Sequence, residues 1–404
     1  MVKHVIVLDL VQACPDSVCR LVIGCNGTFP CPTILMNLGD TLSVTFVNTI
    51  GEPTSVHFHG LVMQDSVEMD GAALLTQCEI PNGAQYTQTF TPTQSGTYWW
   101  HSHSGMQYGD GLKGTLVIFN PENTFVYQNQ AVIELTDWYH TPASALVPGY
   151  LASTTGNEPV PDSILINGIG QYKCTTCSYS LLEVPADTVI RLRLVNQGLM
   201  GIISFSIDGF PMTVIEVDGV EVEPRTYDVI RLNVAQRYSV LVSTNKPAGV
   251  YYMRAQLDPT VFPTPPTVQL ALGEFVVFST TQTTQTVSSV PVINPTVLSA
   301  KDVLPPINNI NPANFFIESP TVLTPLHPTP LPEANATYPI ELTFATGLSG
   351  ANIGIMNGIH LGLPPVPVID YVRSNTPIPW YVNSRTFNYG EVVDIIIYNN
   401  DPGE

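Results

Sequence analysis

Three stretches of this chain follow one plan, and that repetition limits its fold more than any other feature. Gly39 to Asn48 reads GDTLSVTFVN, Ala186 to Asn196 reads ADTVIRLRLVN, and Gly390 to Asn399 reads GEVVDIIIYN. Each runs from a Gly or Ala and an acid through a β-branched stretch to an Asn, and such stretches favour strands. The copies are too widely spaced for a solenoid, so they mark duplicated domains. With 36 prolines and 29 glycines in 404 residues, turn-rich β structure is favoured over long helices. The pattern predicts an all-β chain of tandem Greek-key β-sandwich or barrel domains.

The first domain is expected over residues 1–125 and the second over 126–278. A connector rich in Thr, Ser and Pro is expected over 279–334. A third domain is expected over 335–404, incomplete, having reached only one of its middle strands. Val5 to Val11 reads as a first strand, and short helical turns are expected around Pro142 to Pro148.

Charge narrows the partners. The formal net charge is -19, with only 14 Lys and Arg, so phosphate backbones are repelled and nucleic acid is not expected. An acidic surface favours cationic substrates such as metal ions or aromatic amines, although solubility alone accounts for it. Seven cysteines and two glycosylation triplets, at Asn26 and Asn335, point to an oxidising, extracellular or cell-surface compartment. Local pairs Cys14 with Cys19, Cys25 with Cys31, and Cys174 with Cys177 are conceivable, but connectivity stays open. The start MVKHVIVLDLV does not read as a signal peptide, and no apolar stretch approaches transmembrane length. No Gly-rich loop opens a helix, so a dinucleotide is not expected.

The chemistry concentrates in two short motifs, VHFHG at Val56 to Gly60 and WWHSHSG at Trp99 to Gly105, which hold half of the eight histidines. Residues two apart on a strand face the same side, so each pair directs its imidazoles into one space or toward two adjacent metals. Imidazole suits copper, zinc and iron. Four imidazoles with no Glu or Asp in the same motif argue against the usual hydrolytic zinc designs. Phe58, Trp99 and Trp100 would pack around the ligands and restrict water.

At these residues the chain resembles the multicopper oxidases, and within them the fungal ferroxidase and laccase group. The resemblance rests on IGCNGTFPCPT, SVHFHGLVM, MDGAALLTQC, GTYWWHSHSGMQYGDGLKGTLVI, LTDWYH and VAQRYSVLV, which occur in the family's order. It implies three cupredoxin-like domains and four coppers. A type 1 copper takes electrons from substrate, and type 2 and type 3 coppers between the first and third domains reduce dioxygen to water. It also implies that His57 is a type 2 ligand and that His59, His101 and His103 are type 3 ligands. Asp70 matches an acid that assists proton delivery. His140, in DWYH, matches no ligand and is expected to pack, and Arg237 is expected to anchor a turn or a domain contact through its donor fork.

Two further family motifs, H-P-x-H-x-H and H-C-H-x-x-x-H, are absent, and with them the type 1 site. His327 and His360 are isolated and read as non-ligands. The chain is therefore expected to be a piece of a longer parent, inactive alone, and marginally folded at its C-terminal end. Cys78 matches a family cysteine that bonds near the C-terminus. For the parent's substrate, the resemblance sets Glu158 and Asp401 on ferroxidase carboxylates, while Pro263 stands where a third acid would be. Ferrous iron is slightly preferred, with an iron permease as the partner in that case. Phenols and aromatic amines taken by a laccase are the alternative, and a non-catalytic copper-binding module is another. A monomer is expected.

Overall fold

The computed structural model describes residues 1–279 apart from 123, 154–156 and 175, then 292–293, 296–298 and 323–400 apart from 348–349. The expected connector therefore lies largely outside the described residues. The rest is predominantly β, with a cupredoxin-like arrangement of sheets.

The first sandwich uses β1 (Val2–Ala13), β2 (Arg20–Cys25), β3 (Ile34–Asn37), β4 (Leu42–Asn48), β5 (Val56–His59), β6 (Gln85–Phe90), β7 (Gly96–Ser102) and β8 (Lys113–Phe119). One sheet has the order β2-β1-β4-β6 and the other β3-β8-β7-β5. Strict alternation along β4 buries Leu42, Val44 and Phe46 while Ser43 and Thr45 face outward. Those apolar faces meet Ile6, Leu8, Ile34, Phe58, Trp100 and Leu116 in one core. β7 departs from alternation because both of its faces are buried. Tyr98 and Trp100 face the core, whereas Trp99 packs on Val132 and Val195 of the following sandwich.

That second sandwich uses β9 (Asn129–Trp138), α1 (Ala143–Leu151), β10 (Ser163–Ile166), β11 (Tyr179–Pro185), β12 (Val189–Asn196), β13 (Ile203–Ile207), β14 (Met212–Val217), β15 (Val220–Tyr227), β16 (Val229–Leu232), β17 (Arg237–Ser243), β18 (Gly249–Leu257) and β19 (Leu270–Phe278). The short strands β20 (Val292–Ile293) and β21 (Thr296–Leu298) add to β9 and β11 respectively. A separate three-stranded sheet holds β22 (Ala336–Thr346), β23 (Asn352–Met356) and β24 (Val393–Asn399), and α2 (Val368–Arg373) precedes β24. Along β24, Ile395, Ile396, Ile397 and Tyr398 are all exposed.

The three repeated stretches are β4, β12 and β24, and each pairs in parallel with the first strand of its own unit: β1, β9 and β22. The repeated Asn has a repeated task. Asn48 Nδ2 donates to the carbonyls of Glu52 and Ile80, and its Oδ1 accepts from Ile50 N. Asn196 Nδ2 donates to Gly201 and Leu232 carbonyls, and its Oδ1 accepts from Gly198 N. A short polar side chain thus satisfies a buried turn after the strand.

The two sandwiches meet along a polar seam. Lys113, fully buried, donates to Thr136 Oγ1 and Gln197 O at 2.7 Å each. Thr115 donates to Glu134, and Arg193 Nη1 donates to Thr97 Oγ1. Arg20 pairs with Asp110 at 3.0 Å and donates to Tyr139 O, while its guanidinium covers Trp138. The three conceivable disulfides, Cys14–Cys19, Cys25–Cys31 and Cys174–Cys177, are all formed, and Cys78 is free and exposed.

Replacing Asn196 with Ala should strip a buried turn of its partners. The expected loss is about 2–3 kcal/mol, read as a lower urea midpoint for the second sandwich. An unchanged midpoint would mean that water replaces the amide there.

Candidate metal centre

The centre follows from one register. β5 and β7 run antiparallel with Val56 opposite Ser102, His57 opposite His101, Phe58 opposite Trp100, and His59 opposite Trp99. Residues opposite each other share a face, and residues two apart return to it. His57, His59, Trp99 and His101 therefore crowd one face, while Phe58 and Trp100 enter the core. His103 follows just past β7, where its N–H donates to Ser55 O at 3.1 Å. The loop carrying it is tied down by Gln107, whose Oε1 accepts from Thr54 and Ser102 hydroxyls.

The four rings converge. The His57 ring lies 5.7 Å from that of His59, 5.4 Å from His101 and 5.5 Å from His103. One ring nitrogen from each of His57, His59 and His101 lies within 4.8 Å of the others, as a shared metal ion requires. The tautomers suit ligation. His57 Nδ1 donates to Asp70 O at 2.8 Å, and His101 Nδ1 donates to Ser102 O at 2.9 Å. A carbonyl only accepts, so both Nε2 atoms keep a lone pair. His59 Nδ1 lies 3.3 Å from His101 Nε2, which places a third nitrogen in the same space.

Burial keeps the His59, His101 and His103 rings neutral. It pushes His59 down to about 4, helped by the Arg237 charge and then by His57. It pushes His101 well below its ordinary value, with the neighbouring imidazoles adding to the effect. Neutral imidazole is the form that binds a metal. The donor set therefore fits copper: three or four imidazoles, those of His57 and His101 oriented by carbonyls, in a site free of thiolate.

Asp70 acts first through its backbone. Its carbonyl accepts from both His57 Nδ1 and Phe58 N, and its Oδ1 lies 3.3 Å from His57 Nδ1. Gly71 makes this closeness feasible. Its φ is +90°, and a Cβ there would lie 1.7 Å from Val56 O. Gln88, fully buried, bridges Val56 O and Met69 O and so fixes the loop to β5.

Aromatic rings wall the site. Trp99 stacks on His101 with centroids 4.1 Å apart and lies 5.1 Å from His59. Tyr108 adds a second wall, 5.2 Å from His101 and 6.0 Å from Trp99. Of the three aromatics expected around the ligands only Trp99 lines the site; Phe58 and Trp100 alternate onto the other face and enter the core, while Tyr108 and Gly71 carry no expectation from the sequence. The Asp-Gly pair in MDG was the available signal for a backbone approach.

The remaining candidates fall elsewhere. Glu158 is half-buried near Tyr139, whose phenol its charge helps to push up, although burial contributes more. It does not belong to the histidine cluster. Asp401 lies outside the described residues. His327 and His360 are exposed and apart from the cluster, and His360 Nδ1 bonds Gly354 O. His140 joins the sandwiches: its Nε2 bonds Asp16 Oδ2 at 2.8 Å, and Ser163 Oγ donates to the same buried oxygen. A cavity of about 450 Å³ lies between Phe29, Ile169 and the Cys14 and Cys174–Cys177 disulfide loops, and no histidine lines it.

Comparison with known proteins agrees with this geometry. Two multicopper oxidase family profiles match, one over residues 10–123 and the other over 129–271. Over 423 residues the chain is 34% identical to the iron transport multicopper oxidase fio1 of Schizosaccharomyces pombe, covering 98% of this chain and 62% of that protein. It is 31% identical to Laccase-5 of Trametes villosa, covering 93% of this chain and 75% of that protein. The crystal structure of Fet3p, a multicopper oxidase that functions in iron import, superposes with a TM-score of 0.79 at 28% identity, covering 99% of this chain and 73% of that one. The chain thus spans about three fifths of fio1, at 62% of its length.

Two outcomes are expected. Gly71→Ala forces the Asp70 loop off β5, at about 1–3 kcal/mol for its backbone conformation alone, and weakens copper uptake measured by dialysis and elemental analysis. Uptake equal to the parent would mean that the loop does not orient His57. The second concerns acid. Because the folded pKa of His59 is depressed from 6.5 to about 4, its contribution to stability is complete above 6.5 and lost as pH falls toward 4. Metal-free chain should lose thermal stability more steeply across that window than His59→Gln. Parallel curves would contradict it.

Proposed function

The chain belongs to the multicopper oxidase family, and from that premise we propose that the whole protein couples the one-electron oxidation of ferrous iron to the four-electron reduction of dioxygen to water. The observation that carries the reading is the convergence of His57, His59 and His101 on one face of paired strands, joined by His103 just past them. In this proposal the domains are 1–125, 126–278 and 335–404, with 279–334 as connector.

Copper bound there would supply the one-electron redox steps that dioxygen reduction needs. His57 takes the type 2 role, and His59, His101 and His103 take the type 3 role. Four coppers belong to the whole protein, the type 1 ion being held by motifs this chain does not contain. Asp70 O holds the His57 Nδ1 proton, so Nε2 stays free for metal, and the Asp70 carboxylate beside it is the group we assign to proton delivery. Trp99 and Tyr108 limit water at the rings and hold His101 in one orientation.

Ferrous iron is preferred over phenols because iron transport proteins stand among the relatives and because Glu158 offers a half-buried carboxylate. Glu158 and Asp401 are assigned to iron binding, since the ferric product gains more than the ferrous substrate from anionic oxygen ligands. An iron permease is the matching partner. The laccase reading, with phenols or aromatic amines as substrates, draws on the similarity to Laccase-5 and on Pro263 at the position of a third acid. The three disulfides support a secreted or cell-surface location.

The test is expression of the full reading frame, copper counting, and initial rates on ferrous iron and a simple phenol. Near four coppers with iron preferred is expected. Glu158→Ala should lower kcat/KM for iron by about tenfold or more and leave phenol oxidation nearly unchanged. Equal losses on both substrates would remove Glu158 from the iron site, and a phenol preference would make the protein a laccase.

A further inference from the structure

Two side chains of the second sandwich finish the ladder of the strand that bears the metal centre. β5 pairs with β7 only from Trp99 to Ser102, so Gly96 and Thr97 extend beyond its end. There Thr97 N donates to Glu216 Oε1 at 3.1 Å, and Thr97 O accepts from Arg237 Nε at 3.0 Å. A carboxylate and a guanidinium thus take both main-chain bonds that a neighbouring strand would have made. The same guanidinium abuts the end of β5. Gly60 directly follows His59, its φ is +89°, and a Cβ there would lie 2.5 Å from Arg237 Nη2. Arg237 also lies over the Tyr98 ring, and its Nη1 is held by Asp218 Oδ1 at 3.1 Å and by Ala235 O. Glu216 is fixed in turn by Arg191 and by Ser239. Both partners are nearly fully buried, so neither bond is exchanged freely with water.

We propose that Arg237, with Glu216, is a positioning residue of the metal centre: wedged between the end of β5 and the start of β7, it sets the offset of the two strands that carry His57, His59 and His101. The second sandwich offers no imidazole to the cluster but determines where the imidazoles sit. An ordinary buried Arg would serve domain adhesion alone. The contact with both ligand strands at once distinguishes this one, because loosening it displaces His59 and His101 relative to each other. The inference rests on the copper reading given above.

The test uses the full 404-residue chain loaded with Cu(II), with affinity from competition against a chelator and ligand geometry from electron paramagnetic resonance. Arg237→Ala is expected to weaken copper binding by about 10–100-fold and to change the copper spectrum. Arg237→Lys keeps the charge but not the fork, and should keep most of that change. Asp218→Asn, which frees the guanidinium from behind, should give a smaller change of the same kind. Arg254→Ala breaks a bidentate pair with Asp208 elsewhere in the second sandwich and should leave the spectrum as it is. An unchanged spectrum and affinity in Arg237→Ala would overturn the proposal, as would an equal change in Arg254→Ala. If Arg237→Ala does not fold, Asp218→Asn decides by the same two readouts. Failure of the unaltered chain to bind copper would overturn the copper reading together with this one, whereas binding that ignores Arg237 would overturn this one alone.

Discussion

The pairing of His57 with His101 across β5 and β7 is the constraint on which the rest of the site depends. Side chains on a strand alternate, so a slip of one residue would turn all the imidazoles of one strand into the apolar core. The core opposes such a slip. Phe58 and Trp100 occupy the other face of the same two strands and are fully buried among Phe46, Phe90 and Leu116. Burying side chains of that size is worth about 1.5–3 kcal/mol each. Hydrophobic packing on one face thus holds the ligand geometry on the other, before any metal arrives.

The seam between the sandwiches adds a second constraint of a different kind. Lys113, Arg191, Arg193 and Glu216 are all nearly fully buried there. Burial, opposed by the Asp137 and Glu134 charges, leaves Lys113 lowered to about 8, and burial with the neighbouring Arg191 charge lowers Arg193 to about 9. Such groups cost free energy unless each finds partners, and removing one leaves the others unpaired. The pairs that cross it, among them Arg193 with Thr97 at 2.8 Å and Lys113 with Thr136 and Gln197, are specific to one docking geometry. A polar seam of this type discriminates against alternative placements more than it adds stability. It therefore suits a centre whose ligand strand, β7, has one face in each sandwich.

Much of this was legible from residues alone. The repeated stretches are the strands that pair with the first strand of each unit, because a β-branched run and its closing Asn carry the same local instructions each time. The two H-x-H pairs disclosed the centre because period-two spacing converts directly into a shared face. First-strand limits were too narrow: Val5 to Val11 grows to Val2–Ala13, since pairing with β2 and β4 supports residues whose own sequence is undistinguished. Other features depend on long-range contacts that local sequence does not encode. Nothing in the local sequence marks Arg191 and Arg193 of β12 as interior, yet both are buried. The Asp70 contact that orients His57 runs through its carbonyl, which every residue possesses. His140 packs at an interface as expected, but its bond to buried Asp16 joins residues 124 apart in the chain. The three-stranded sheet of β22–β24 keeps the repeated parallel pair, β22 with β24, while β24 stays largely exposed.

The most direct measurement of the central claim is pulsed electron paramagnetic resonance on the chain loaded with one equivalent of Cu(II), which registers the imidazole nitrogens coupled to the ion. Coupling to at least the three rings of His57, His59 and His101 is expected, with one ring lost when His57 is replaced by Ala and none lost when His140 or His360 is replaced. Copper held by oxygen ligands with no coupled imidazole, or coupling that survives in the His57 variant unchanged, would contradict the assignment of this strand pair as the metal centre.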